Sequence, residues 1–222
     1  NDPYYGIVNG RNWKWHLDMI KADSAWNIQR GKAGIKVAIV DNFVWGNHPD
    51  LQIDSANLCT VSYKSGSYKY TVGTATPPVR QGSTDTAYDA SHGTHCAGLV
   101  GAINSNGEGI ASIGGGVTLM GISATNPQYL EYISYSLQGV QWAAEHGADV
   151  ISMSFSSANA SQAQTLMMQT CYNKGIVLVA SAGNDGDKDN SLRYPAVLPT
   201  VISVASVDGD GKLSYFSEWG PG

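Results

Sequence analysis

Five short, mainly apolar runs recur along the 222-residue chain, at Ile35–Val40, Val117–Ile122, Val150–Phe155, Ile176–Ala182 and Val201–Val207. They are rich in Val and Ile, and none alternates strictly between apolar and polar. Such a run has no face to give to water, so it suits a strand covered on both sides, as in a parallel sheet. Helical spacing fills the gaps. Leu130, Ile133, Leu137, Val140 and Ala144 recur at intervals of three and four. A second helix is predicted to begin near Ser161 and stop at Lys174-Gly175, with a cation in the last turn and a glycine just past it. Strand and helix thus alternate, which predicts an α/β fold with a parallel sheet wrapped by helices. No internal repeat or linker breaks the pattern, and a single domain over residues 1–222 is expected.

One stretch departs from the alternation. Asp54–Ala90 is rich in Ser, Thr, Gly, Tyr and Pro, with Pro77-Pro78 near its centre. It reads as a long surface excursion, with a hairpin over Tyr63–Val72. It is either a plain loop or a wall beside a site, since it joins two segments that carry reactive residues.

Composition narrows the partners. The net charge is −5 and charged residues make up 14%, with no basic cluster of the kind that tracks a phosphate backbone. No apolar stretch reaches the roughly 18 residues needed to cross a membrane. Neither nucleic acid nor membrane is therefore expected as a partner. No signal-like segment opens the sequence at Asn1, so the chain is expected to be either cytosolic or already processed. The three cysteines, Cys59, Cys96 and Cys171, cannot all pair within the chain and show no CxxC spacing. Cys96 and Cys171 lie in apolar helical patterns and read as buried thiols. Nothing in the sequence supports a partner for Cys59.

Three residues stand where a parallel sheet places its chemistry, at the carboxyl ends of strands or at a helix start. Asp41 follows the run Val37–Val40. Asn184 follows the run that ends Ala180-Ser181-Ala182-Gly183. His92 opens the small-residue segment Gly93-Thr94-His95-Cys96-Ala97-Gly98. A helix N-terminus favours a neutral imidazole, and a carboxylate stabilises the imidazolium formed in a reaction. Together they suit a general base that charges transiently and is oriented by an acid. Each residue alone is ordinary: an Asp ends many strands, a helical His is often structural, and Gly-Asn is a common turn. The signal lies in their joint order.

In these residues the chain resembles the subtilisin-like serine proteases, the subtilases. His92–Gly98 is similar to the family's histidine segment, with Cys96 as in proteinase K-like members. Ala182-Gly183-Asn184-Asp185-Gly186 resembles its oxyanion-asparagine segment. Val150–Phe155 looks like the segment lining the substrate groove. His48-Pro49-Asp50-Leu51, Tyr194-Pro195-Ala196, Val201-Ile202-Ser203-Val204, Phe216-Ser217, Trp15-His16-Leu17 and Ala22–Trp26 extend the likeness along nearly the whole chain. The resemblance implies a three-layer sandwich around a mainly parallel sheet. It also implies peptide-bond hydrolysis, in which Asp41 orients the base, His92 is the base and Asn184 donates to the oxyanion. Ser154, Phe155, Ser156, Ala182 and Gly183 are the implied substrate-binding residues. Substrates would be proteins or peptides, with no cofactor required, although structural calcium is compatible with the family. An inhibitory propeptide and a secreted or extracytoplasmic location are implied as well.

The sequence departs from the family pattern in several places. Asp41 is followed by Asn42-Phe43 where the family usually has Thr or Ser and then Gly. Ser156-Ser157 follow Phe155 where Gly is usual, and Asn126-Pro127-Gln128-Tyr129-Leu130 is bulkier than the glycine-rich edge segment of relatives. The nucleophile motif Gly-Thr-Ser-x-Ala does not occur within residues 1–222. Family spacing places it beyond Gly222, so the domain is expected to be incomplete at its C-terminal end, with the missing part as its partner and the 222-residue chain alone inert. Ser214 and Ser217 lack the glycine-before-helix context a nucleophile needs. The alternative is an inactive binding module that retains the fold. Asp185-x-Asp187-x-Asp189 has the carboxylate spacing of a calcium loop but lacks its glycine at the sixth position and glutamate at the twelfth, and reads better as a solvated acidic turn. The Gly107-Glu108-Gly109 and Gly114–Gly116 clusters lack a phosphate-loop spacing. His92 and His95, three apart, are not a zincin pair.

Overall fold

The computed structural model describes residues 2–73, 91–129 and 132–220. A short antiparallel ribbon, β1 (Ile7–Val8) and β2 (Arg11–Asn12), precedes two short helices, α1 (Trp15–Met19) and α2 (Ala22–Ala25). The remaining elements are β3 (Lys36–Asp41), β4 (Leu58–Lys64), β5 (Ser67–Val72), α3 (Ser91–Gly101), β6 (Thr118–Ser123), α4 (Ser136–Glu145), β7 (Val150–Met153), α5 (Gln162–Asn173), β8 (Val177–Ser181) and β9 (Ile202–Val204). Strands β3 to β9 form one seven-stranded sheet in the order β5-β4-β6-β3-β7-β8-β9. Every pairing is parallel except the edge pair β4–β5.

The continuous apolar runs are explained by two cores, one on each face of the sheet. Side chains alternate along a strand, so β3 sends Val37 and Ile39 to one side and Ala38 and Val40 to the other. On the first side they meet Ala97 and Ala102 of the α3 region, with Leu119 of β6. On the second they meet Val140, Trp142 and Ala143 of α4 and Met168 and Cys171 of α5. Helix, sheet and helix make the expected three layers. Helix α5 is capped by Ser161, whose hydroxyl accepts from the Gln164 amide while the Gln164 side chain accepts from the Ser161 amide. This reciprocal cap satisfies two donors that a helix start otherwise leaves unpaired.

The structure corrects the sequence reading of residues 54–73. They are not wholly a surface excursion. β4 joins the sheet beside β6, pairing Leu58, Cys59 and Thr60 with Gly121, Ile122 and Ser123, and it buries Leu58, Cys59 and Val61. The hairpin partner β5 is exposed along its whole length. Cys59 is thus a core residue whose thiol burial pushes its pKa up to about 12, and it is not open to a second chain. Cys171 is buried as expected, whereas Cys96 is only half-buried. Residues 74–90, the rest of the stretch read as a possible wall, lie outside the described residues. The last predicted strand is also shorter than Val201–Val207. Ile202–Val204 forms the sheet edge, and Ile202, Val204, Val207, Leu213, Tyr215 and Trp219 are all exposed there.

Candidate active site

Asp41 is the last residue of β3 and is fully buried. Its Oδ1 accepts the Asn42 amide at 2.7 Å and faces His92 Nδ1 at 2.8 Å. A carboxylate only accepts hydrogen bonds, so this contact fixes the proton on Nδ1 and leaves Nε2 of the neutral ring with a free lone pair. His92 lies in the first turn of α3, and its side chain is 56% exposed. Its pKa is raised chiefly by the hydrogen bond to Asp41, against the opposing effect of burial. The hydrogen bond therefore outweighs the pull toward neutrality expected from burial and a helix start.

The approach of α3 to β3 depends on Gly93. A Cβ there would overlap the Phe43 carbonyl oxygen and lie 2.7 Å from the Asp41 Cβ. The Asn42-Phe43 departure has a structural answer. Asn42 Oδ1 accepts the Phe43 amide at 2.7 Å and the Gly93 amide at 3.3 Å, tying the strand end to the helix start. Phe43 and Val44 are buried beneath this corner.

The parallel register carries the site along the sheet. Ile39 pairs with Ser152, and Ser152 with Val179. Two residues further, Asp41 on β3, Ser154 just past the end of β7 and Ser181 on β8 therefore fall at the same level. Adjacent strands lie about 4.8 Å apart, which sets β8 roughly 10 Å from β3 across the sheet. Asn184 leaves the end of β8. It is exposed, and its side chain makes no hydrogen bond among the described residues.

The predicted substrate-binding residues are distributed around this edge. Ser154 Oγ lies 3.5 Å from Cys96 Sγ, one helical turn beyond His92. Phe155 and Ser156 line a cavity of ≈ 270 Å³ with Tyr132, Ile133, Tyr194 and Leu198. Ser157 exchanges both backbone hydrogen bonds with Tyr194, each 2.9 Å. Ala182 lines a second cavity of ≈ 220 Å³ with Arg193, Glu218 and Trp219. Gly183 is buried with φ +122°, and a Cβ on it would overlap Glu218 Oε2.

Asp41, His92 and Cys96 bring a carboxylate oxygen, a ring nitrogen and a thiol within 4.8 Å of one another. Burial raises the Cys96 pKa, which keeps the thiol protonated and makes it a poor ligand or nucleophile. In the Asp185-x-Asp187-x-Asp189 turn, two of the three carboxylates already meet cations, which disfavours a calcium loop. Asp185 pairs with Lys188 and Arg193, and Asp189 meets Arg193 at 3.5 Å. Ser217 is no nucleophile in this fold. It is buried, accepts the Ser206 amide at 2.9 Å and donates to the Glu218 carbonyl at 3.1 Å. Sequence reasoning missed Arg193 and Glu218, whose ion pair spans 25 residues and belongs to no motif. The only available signal was an acidic residue next to the Phe216-Ser217 pair.

The mainly parallel sheet thus brings an acid–histidine pair and an amide-bearing loop to its carboxyl ends. Residues 32–222 match the subtilase family (Peptidase S8), and the chain belongs to it. It is 31% identical to thermitase of Thermoactinomyces vulgaris over 220 residues, covering 99% of this chain and 70% of thermitase. It is 30% identical to the minor extracellular protease Epr of Bacillus subtilis (strain 168), over 93% of this chain and 28% of Epr. In fold it is similar to the psychrophilic subtilisin-like protease Apa1 of Pseudoalteromonas sp. AS-11, with a TM-score of 0.64 at 24% identity, over 92% of this chain and 43% of Apa1. These relatives support a subtilisin-type serine protease.

Proposed function

We propose that this chain supplies the acid, the base and one oxyanion donor of a subtilisin-type serine endopeptidase whose nucleophilic serine follows Gly222. The observation that carries the reading is the 2.8 Å contact between His92 Nδ1 and buried Asp41, which leaves the other ring nitrogen uncommitted. In the reaction, His92 Nε2 takes the proton of the serine hydroxyl as the oxygen attacks a peptide carbonyl. Asp41 stabilises the resulting imidazolium, and Asn184 donates to the oxyanion. His92 then returns the proton to the leaving amine, and water repeats the sequence to free the enzyme.

The peptide lies along residues 154–156 as an added strand. Ser157 is already paired with Tyr194, which limits that ladder to those three residues. Ala182 and Gly183 form the facing wall. The chemistry needs no cofactor, and the protein acts outside the cytoplasm, as the name of Epr states for that relative. The competing reading, an inactive subtilase-fold module, predicts that no serine in the full-length protein reacts.

The test is to treat the full-length protein with a fluorophosphonate and map the adduct. A single modified serine beyond Gly222, lost in His92→Ala together with about 10⁶-fold of peptidase kcat, is expected. That magnitude was measured within this family rather than deduced from the present geometry. Failure to label, or labelling at Ser217, would overturn the reading.

A further inference from the structure

The loop that carries Asn184 is held by charge. Arg193 and Glu218 are 14% and 3% exposed in their side chains and form an ion pair through Arg193 Nε and Glu218 Oε1. The same guanidinium reaches Asp185 Oδ2 at 3.1 Å and Asp189 Oδ1 at 3.5 Å. Glu218 in turn packs on Gly183. Its Oε2 occupies the space that a side chain at Gly183 would need, and its amide donates to the Gly183 carbonyl at 3.2 Å. A further bond runs from the Gly186 amide to the Phe216 carbonyl at 2.9 Å. The residues on either side of Asn184 are therefore fixed to one largely buried pair, Gly183 by Glu218 and Asp185 by Arg193.

A buried ion pair is weak evidence for stability, because desolvation offsets most of the attraction. This pair is also imperfect, since Glu218 Oε2 is buried without a hydrogen-bond partner among the described residues. A pair buried at such a cost is better understood by what it places than by what it stabilises. We propose that Arg193 and Glu218 are positioning residues for Asn184, setting where its amide stands relative to the developing oxyanion. The inference rests on the peptidase reading above. An oxyanion donor must lie about 2.7–3.1 Å from the charge it stabilises, and a displacement near 1 Å costs about 10²-fold in rate.

The test uses the full-length enzyme, with rates corrected for active sites titrated by a phosphonate. Arg193→Met is expected to lower kcat on a short peptide amide by about 10–100-fold and to change KM by less than about threefold. A peptide boronate, which mimics the tetrahedral anion, should lose affinity by the same factor as kcat/KM. Arg193→Lys, which keeps the charge but not the fork, should recover part of the loss. Glu218→Gln should lose less than Arg193→Met. In an Asn184→Ala background, Arg193→Met should cost less than about twofold more, because the group being placed is gone. Equal losses in both backgrounds, or a loss confined to KM, would overturn the proposal.

If Arg193→Met does not fold, Arg193→Lys and Glu218→Gln carry the same cycle. Amide hydrogen exchange gives a readout independent of activity. The Gly186 amide should exchange faster in each variant that folds, and unchanged exchange would count against the clamp. A wild-type enzyme that hydrolyses no peptide would instead overturn the peptidase reading, and the exchange data would still decide whether the pair holds the loop.

Discussion

The β3–α3 corner and the β8–β9 corner solve the same problem by different means. At the first, Asp41 is fully buried, Phe43 and Val44 fill the space beneath it, and Gly93 lets the helix approach within contact of the carboxylate. Apolar packing and a few short hydrogen bonds fix the acid and base, and both cores of the sheet reach this corner. At the second, Asn184 is exposed, β9 has no buried residue, and the loop is tied by Arg193 to Glu218, Asp185 and Asp189. On the proposed reading, one part of the site is set by the core and another by a local set of charges. Packing is insensitive to salt and pH, whereas an ion-paired loop is not.

The largest break to the first corner comes from Asp41→Asn in the full-length enzyme. kcat should fall about 10⁴-fold, because an amide can hold the ring in the wrong tautomer. The pH dependence should move with it. The His92 pKa is raised above its ordinary value by the Asp41 hydrogen bond, so the rate should climb as pH rises through that raised pKa and the ring becomes neutral. In Asp41→Asn the climb should shift to lower pH, which titration of the His92 Cε1 proton by NMR will follow. The sign for stability is opposite. The Asp41–His92 contact stabilises the fold fully below the unfolded histidine pKa of about 6.5 and ceases to do so as pH rises through the folded value.

The second corner breaks less deeply. Asn184→Ala should lower kcat by about 10²–10³-fold with little change in KM, a magnitude known from this family. A loss expressed mainly in KM would show that Asn184 binds substrate rather than the transition state.

Gly93→Ala compares the corners by stability instead of rate. The added methyl would press on the Phe43 carbonyl and on Asp41, so thermal unfolding should show a loss of about 1–3 kcal/mol. Retention of wild-type stability would mean that the corner yields, contrary to its packing.

Smallest of all, Asp187→Asn should change stability by no more than about 0.5 kcal/mol with or without added calcium, measured by thermal melt. Asp187 is exposed and the neighbouring carboxylates already meet Arg193 and Lys188. A calcium-dependent rise in melting temperature that Asp187→Asn removes would show that the loop holds an ion after all.

Much of this could be read from residues near one another in the chain. The continuous run Val37–Val40 announces a strand buried on both faces, and Lys174-Gly175 marks the end of α5 because a helix end has local chemistry. β4 was missed because the Ser and Thr of Leu58–Lys64 disguise a strand whose partners, Gly121 to Ser123, lie some sixty residues away. The Asn42-Phe43 departure is legible in the sequence, but the bond from the Gly93 amide to Asn42 Oδ1, 51 residues away, is not.

The sequence by itself determined the layered α/β class and the order of Asp41, His92 and Asn184, because hydrophobic period and motif spacing are written in neighbouring residues. The tertiary structure alone decided that Asp41 bonds His92 Nδ1, that Ser217 is committed to backbone groups, and that Arg193 and Glu218 brace the Asn184 loop. The physical reason is that these contacts join residues 11 to 51 positions apart. Hydrogen bonds of that kind depend on distances and directions that exist only once the sheet has set its register.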